Sequence, residues 1–225
     1  MEIAYVQSIS LIDFPDTLSA IVFTQGCNLH CPYCQNPDLI RISRGKLSGI
    51  DVLKHLSRIS DKIEGVSITG GEPTIQKDLI SFCKAIKDLD LKVKIDTNGS
   101  NPKMIRELLD RNILDYIAMD FKAPLSKYQE VTRSSVRPSR ILKSAKAIMG
   151  SSIPYEFRTT VAKELLSLDD IVEISKILKG ARLYVVQKVR SIKTLSHIPF
   201  TPYSDSEFES IRDTVLNYVK SFLVR

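Results

Sequence analysis

Six short β-branched runs alternate with six amphipathic segments along this chain, and that alternation limits the folds open to it. The runs cover residues 19–25, 66–69, 91–97, 116–121, 155–161 and 182–187. Apolar residues recur with helical period over 49–60, 75–89, 102–112, 139–149, 168–178 and 205–223. Helix start signals agree. Asn101 precedes a first-turn Pro102, and Ser204-Asp205-Ser206-Glu207 offers a capping side chain followed by early acids. Gly150 and Gly180 suit helix ends. A helix after each strand returns the chain to the same edge, so the strands of one sheet run parallel. A closed eight-stranded barrel usually needs about 250 residues. With 225 residues and six units, the expectation is an α/β fold, a partial (β/α)6 TIM-like barrel with a parallel sheet. The flat alternative is a doubly wound sheet. No internal repeat or low-complexity segment interrupts it. Pro138 and the stretch 191–201 read as loops inside a single domain spanning 1–225.

The chain is 43% hydrophobic and 26% charged, as suits a soluble protein with a real core. No apolar run approaches the roughly 20 residues that span a bilayer. The first residues contain Glu2 and Asp13 and no basic region followed by an apolar stretch. No signal peptide is therefore expected, and the expected location is the cytoplasm. The formal charge of +6 permits an acidic partner, but the 32 basic residues are scattered, as on an ordinary solvated surface.

Three of the four cysteines crowd into one loop after the first of those runs: Gly26-Cys27-Asn28-Leu29-His30-Cys31-Pro32-Tyr33-Cys34. Disulfides between such close neighbours would be strained, and a reducing cytosol would not keep them. Three thiolates on so short a loop can wrap one compact metal centre. A [4Fe–4S] cube held by Cys27, Cys31 and Cys34 keeps one iron open for a small molecule. The alternative is zinc with His30 or a distant group as fourth ligand, although zinc sites usually show two separated ligand pairs. Cys83 falls in helical register with Leu79 and Ile86, as a small buried hydrophobe would.

C-x3-C-x2-C with an aromatic before its last cysteine, at the end of a strand, resembles the radical S-adenosylmethionine (SAM) superfamily. So does Gly70-Gly71-Glu72-Pro73 at the end of the next strand, where glycines allow close backbone approach. The resemblance implies that the open iron binds the methionine moiety of SAM. Tyr33 would contact the adenine, and Gly70, Gly71 and Glu72 the methionine amino group. One electron from the cluster would break the C–S bond, and a 5′-deoxyadenosyl radical would remove a hydrogen atom.

Further acids sit at the ends of later strands, where βα folds place ligands: Asp96-Thr97-Asn98-Gly99 and Asp120-Phe121-Lys122. These stretches resemble the glycyl-radical activating enzymes, pyruvate formate-lyase activating enzyme among them. That likeness implies Asp96, Thr97 and Asp120 as ligands of a monovalent cation beside the methionine carboxylate, with Lys122 as a carboxylate contact. Two acids there would repel the carboxylate unless a cation offsets them. Arg158, on the fifth run, reads equally as a SAM contact or a structural ion pair, since a buried arginine needs a partner. Gln187 is a candidate for the substrate mouth.

The segments Ser10-Leu11-Ile12-Asp13-Phe14-Pro15-Asp16, Phe23-Thr24-Gln25-Gly26-Cys27-Asn28 and Cys34-Gln35-Asn36-Pro37-Asp38 resemble the anaerobic ribonucleoside-triphosphate reductase activating proteins. Asp16 and Gln35 depart from that pattern, where glycine and often histidine stand. The implied activity is removal of a hydrogen atom from a backbone glycine of a partner enzyme. The implied reductant is flavodoxin or ferredoxin, because no further C-x2-C supports an internal relay. Asp13 is a candidate for steering the glycine loop. The alternatives are a pyruvate formate-lyase-type activator, a small-molecule enzyme such as a 7-carboxy-7-deazaguanine synthase, and a tRNA-modifying radical enzyme.

Overall fold

The computed structural model describes residues 1–190, 194–196 and 198–225. Its strands are β1 (Glu2–Ser10), β2 (Ser19–Thr24), β3 (Leu47–Ser48), β4 (Gly65–Gly70), β5 (Lys92–Thr97), β6 (Tyr116–Asp120), β7 (Tyr155–Val161), β8 (Tyr184–Lys188) and β9 (Phe222–Val224). The helices are α1 (Gly49–Ile59), α2 (Leu79–Lys87), α3 (Pro102–Asp110), α4 (Tyr128–Thr132), α5 (Pro138–Met149), α6 (Leu168–Ile177) and α7 (Asp205–Leu216). All strands join one sheet in the order β3-β1-β2-β4-β5-β6-β7-β8-β9. From β2 to β9 every pairing is parallel; β1 pairs antiparallel with both β2 and β3. The two edges, β3 and β9, do not pair with each other, so the barrel stays open, as the six-unit count predicts. No helix among the described residues is long and apolar enough to cross a membrane.

Parity along the strands sorts the side chains. Val66 and Ile68 of β4, Val93 and Ile95 of β5, Ile117 and Met119 of β6, and Tyr155 and Phe157 of β7 pack under the helices and are almost fully buried. Alternate residues face the concave side. There the register sets Lys94 and Asp96 beside Tyr116 and Ala118, and Asp120 beside Arg158.

Several elements differ from the sequence expectation, among them the short strand β3, which was not expected, and Pro138, which opens α5 instead of lying in a loop. The first expected run is the second strand, because residues 2–10 already form β1; Tyr5 stacks on Phe23 with ring centroids 4.1 Å apart. The expected helix 205–223 stops at Leu216. Past it the backbone turns to pair with the α6–β8 loop, through Gly180 N–H to Tyr218 O and Lys220 N–H to Ala181 O, and Phe222–Val224 joins β8. Valine and phenylalanine at helical spacing served a β edge instead. The expected helix from residue 75 begins at Leu79, because Pro73–Ile75 is a separate 3-10 turn capped by Glu72. The short helix α4 had no sequence signal. Asn101 and Ser204 cap α3 and α7 as their residue types predict. The expected loop 191–201 contains residues 191–193 and 197, which lie outside the described residues; the described remainder is neither helix nor strand.

Candidate active site

The cysteine loop leaves β2 through Gly26, whose φ of +98° suits glycine. Backbone bonds fix the loop on both sides. Gly26 N–H donates to Leu39 O at 2.9 Å and Cys27 N–H to Ile40 O at 3.0 Å; on the other side Glu72 N–H donates to Gly26 O at 2.8 Å. Further along, Leu195 N–H donates to Cys34 O (3.1 Å) and Ser196 N–H to Pro32 O (3.0 Å). All three thiols line one open cavity of about 770 Å3 on the concave face, together with Tyr33. Burial pushes the Cys27 thiol up to about 12 and also raises Cys31, although Lys122 pulls Cys31 back. His30 is exposed and does not line this cavity. Cys83 is buried within α2, away from it.

Gly71 is where two loops touch. A Cβ there would stand 2.0 Å from Gly26 O, which is backbone and cannot swing aside. Gly71→Ala should therefore cost about 1–3 kcal/mol of stability through forced displacement of the cysteine loop. It should also lower the iron retained after anaerobic loading. Denaturant unfolding and iron analysis check both, and wild-type values in both would refute the contact.

Glu72 is 1% exposed and its carboxylate is spent within the chain. Oε1 accepts from Thr74 N–H at 3.0 Å, from the Thr74 hydroxyl, and from the Thr97 hydroxyl at 2.6 Å; Oε2 accepts from Asn98 N–H at 2.6 Å. The side chain so ties the β4 loop to the end of β5. Asn98 Nδ2 donates to Asn28 Oδ1 at 2.9 Å, and Asn28 Nδ2 to Ser100 Oγ at 2.8 Å, joining the same loop to the cysteines.

Beyond this brace lies a row of charges. Arg158 Nε donates to Asp120 Oδ1 at 2.9 Å, and its NH1 stands 3.5 Å from Asp96 Oδ1 and 3.8 Å from Glu156. Lys122 Nζ bonds Asp120 Oδ2 at 2.9 Å and lies 5.8 Å from the Tyr33 ring centroid. Lys94 Nζ pairs with Asp96 Oδ1 and reaches Ser67 Oγ at 3.5 Å. Arg225 pairs with Glu156 at 3.1 Å. Burial works against the Asp120 charge, but Arg158 and Lys122 overcome it and hold its carboxyl down to about 2. The same balance, through Arg158 and Lys94, keeps Asp96 below the usual carboxylate range. Lys122 and Arg158 are held firmly cationic; burial opposes their charge, and the facing carboxylates outweigh it.

The cavity thus gathers every residue that the sequence singled out for cluster and SAM, with Asp13 and Gln187 at its margins. Asp13 accepts from the Ser10 hydroxyl beside the start of β2, the end of the sheet opposite the cysteines. Sequence reasoning missed Lys94 and Glu156. Each sits two residues before a residue it did find, so the period of two was the available signal.

A cluster and SAM fit this cavity. Soft thiolate donors and fixed cations line it together, with Lys122 near enough to Cys31 to act on its thiol. The Tyr33 hydroxyl is buried next to the Cys31 thiol, with no other polar group among the described residues bonded to it. Among the described residues, no three of His, Cys, Asp and Glu are gathered to hold a single metal ion.

Comparison with known proteins places these features in company. The Radical SAM superfamily profile matches residues 21–176. A Methanocaldococcus jannaschii protein provisionally named a glycyl-radical enzyme activating enzyme is 32% identical over 188 residues, covering 81% of this chain and 78% of its own. The pyruvate formate-lyase-activating enzyme of Clostridium pasteurianum is 34% identical over 123 residues, covering 52% of this chain and 50% of that enzyme. Streptococcus suis SuiB, solved with bound S-adenosylmethionine, superposes with a TM-score of 0.71 at 22% identity. That match covers 89% of this chain and 48% of SuiB, so the chain spans about half of SuiB, and the likeness concerns the fold.

Proposed function

The chain belongs to the radical SAM superfamily, among its glycyl-radical enzyme activating enzymes, and on that premise we propose that it removes a hydrogen atom from a backbone glycine of a partner enzyme. The partner we propose is an anaerobic ribonucleoside-triphosphate reductase, on the likeness of residues 10–16, 23–28 and 34–38 to activators of that class. The observation that carries the reading is the single open cavity shared by three thiols, Tyr33 and the charge row.

In this proposal residues 1–225 act as one domain. Cys27, Cys31 and Cys34 hold the [4Fe–4S] cluster. Gly70 and Gly71 present backbone to the methionine amino group, and Glu72 fixes that turn by its four hydrogen bonds. Tyr33 covers the adenine. Lys122 and Arg158, steadied by Asp96 and Asp120, receive the methionine carboxylate, with Thr97 held beside them by Glu72. When bound, cluster and SAM supply a one-electron cleavage of the C–S bond and a 5′-deoxyadenosyl radical that takes the hydrogen. The protein's part is position and exclusion of water, so no side-chain base is required. The proposal includes no monovalent cation, because the carboxylates assigned to it are paired with cations of the chain.

A protein loop as substrate suits the open barrel. Leu11 and Ile12, at the rim beyond β1, are 78% and 87% exposed, and Ile12 also lines the cavity. Exposed apolar side chains beside the cavity, here at the end of the sheet away from the cysteines, fit contact with a macromolecular partner better than with a small polar substrate. The electron comes from an outside carrier, flavodoxin or ferredoxin. Arg41, Arg44 and Lys46 are exposed on the segment that follows the backbone bonds to Gly26 and Cys27, a basic approach for an acidic carrier. Cytoplasmic location goes with this reading.

The test is anaerobic. The loaded, reduced protein is mixed with SAM and the candidate reductase, and the organic radical is recorded by paramagnetic resonance. A doublet that collapses when the reductase carries α-deuterated glycine is the expected result. SAM cleavage without any radical on the reductase would reject this partner. Turnover of a free pterin would point to the 7-carboxy-7-deazaguanine synthase reaction instead.

A further inference from the structure

Asp96 and Asp120 are the carboxylates that the family likeness assigns to a monovalent cation, yet both already face cations of the chain. Asp96 Oδ1 meets Lys94 Nζ and, at 3.5 Å, Arg158 NH1. Asp120 gives one oxygen to Arg158 Nε and the other to Lys122 Nζ, each at 2.9 Å. The Thr97 hydroxyl donates to Glu72 at 2.6 Å and accepts from Gly99 N–H at 3.1 Å. Lys94 cannot turn away to free its partner. It is 1% exposed, and strand parity fixes it on the same face as Asp96.

The charge count gives the consequence. Among the ion-paired groups Lys94, Lys122 and Arg158 oppose Asp96 and Asp120, leaving one positive charge; Glu156, near Arg158, is matched by Arg225, and Glu72 is held apart by neutral donors from Thr74, Thr97 and Asn98. An alkali ion would add a further positive charge to a buried place that already carries an excess. A carboxylate arriving there neutralises it instead.

We propose that Lys94 takes the place of the monovalent cation: its ammonium, buried behind Asp96, neutralises that carboxylate and leaves Arg158 and Lys122, which line the cavity, to receive the methionine carboxylate of SAM, so SAM binding needs no alkali ion. This rests on the reading of the cavity as the SAM site.

The test is equilibrium binding of SAM to the anaerobically loaded protein in tetramethylammonium, sodium and potassium chloride at equal ionic strength. Equal affinity in the three salts is expected. Lys94→Met should bind SAM tenfold or more weakly in tetramethylammonium, because Asp96 is left uncompensated beside the incoming carboxylate, and regain affinity in sodium or potassium. An affinity of the unaltered protein that rises tenfold on adding sodium or potassium overturns the proposal, as does unaltered affinity in Lys94→Met. The comparison of salts in the unaltered protein stands even if the variant fails to fold. No SAM binding in any salt would instead reject the SAM site itself.

Discussion

Alanine at Cys27, Cys31 or Cys34 is expected to abolish iron and sulfide uptake and SAM cleavage together, to background, while leaving the fold intact. The two halves of this expectation have separate causes. A cube held by three thiolates has no spare protein ligand; two thiolates on one loop leave a second iron open and the cluster labile. The loop's shape, by contrast, is set by backbone bonds: Gly26 to Leu39, Cys27 to Ile40, Cys34 to Cys31 and Leu195 to Cys34. None of them uses a thiol, and among the described residues Cys27 Sγ accepts only the long contacts from Leu29 N–H at 3.5 Å and Asn98 Nδ2 at 4.0 Å. The metal-free variants should therefore melt close to the metal-free parent. Cys83→Ala is the control, since its thiol is buried in α2; it should load iron fully and lose roughly 1 kcal/mol of stability. Full SAM cleavage in any of the three loop variants would refute the assignment.

The second large effect is expected at Arg158. Arg158→Met removes a cation shared by Asp96, Asp120 and Glu156, all on the buried concave face. Breaking a buried pair from one side costs about 3–5 kcal/mol, because the remaining charge is left uncompensated. Arg158→Lys should recover only part, since a point charge cannot bond Asp120 and reach Asp96 as a guanidinium fork does. Adding Asp120→Asn to Arg158→Met removes one of the stranded charges and should restore some of the loss. Urea unfolding of the metal-free proteins measures all of this. A loss below about 1 kcal/mol for Arg158→Met would show that the ion pairs are too well solvated to matter.

The parallel core was legible because each of its six strands is a compact β-branched run followed by a helix. The concave face was legible in part. Asp96, Asp120 and Lys122 sit at strand ends, where the fold itself predicts ligands. Lys94 and Glu156 lie within strands, and charged residues there look like the solvated side of a half-buried strand. Only the curling of the sheet around its concave face puts them in a buried interior. Glu72 was legible as part of a motif, but its task was not. Its four donors come from residues 74, 97 and 98, and that meeting is tertiary. The edge strands β3 and β9, and β1 next to the edge, escaped for a related reason: short or partly exposed strands lack the continuous apolar run of a core strand.

The most direct test of the central claim is anaerobic. Loaded with iron and sulfide, chemically reduced and given SAM, the protein is predicted to release 5′-deoxyadenosine and methionine in equal amounts. Iron uptake without either product, or no uptake at all, would contradict the assignment of this cavity.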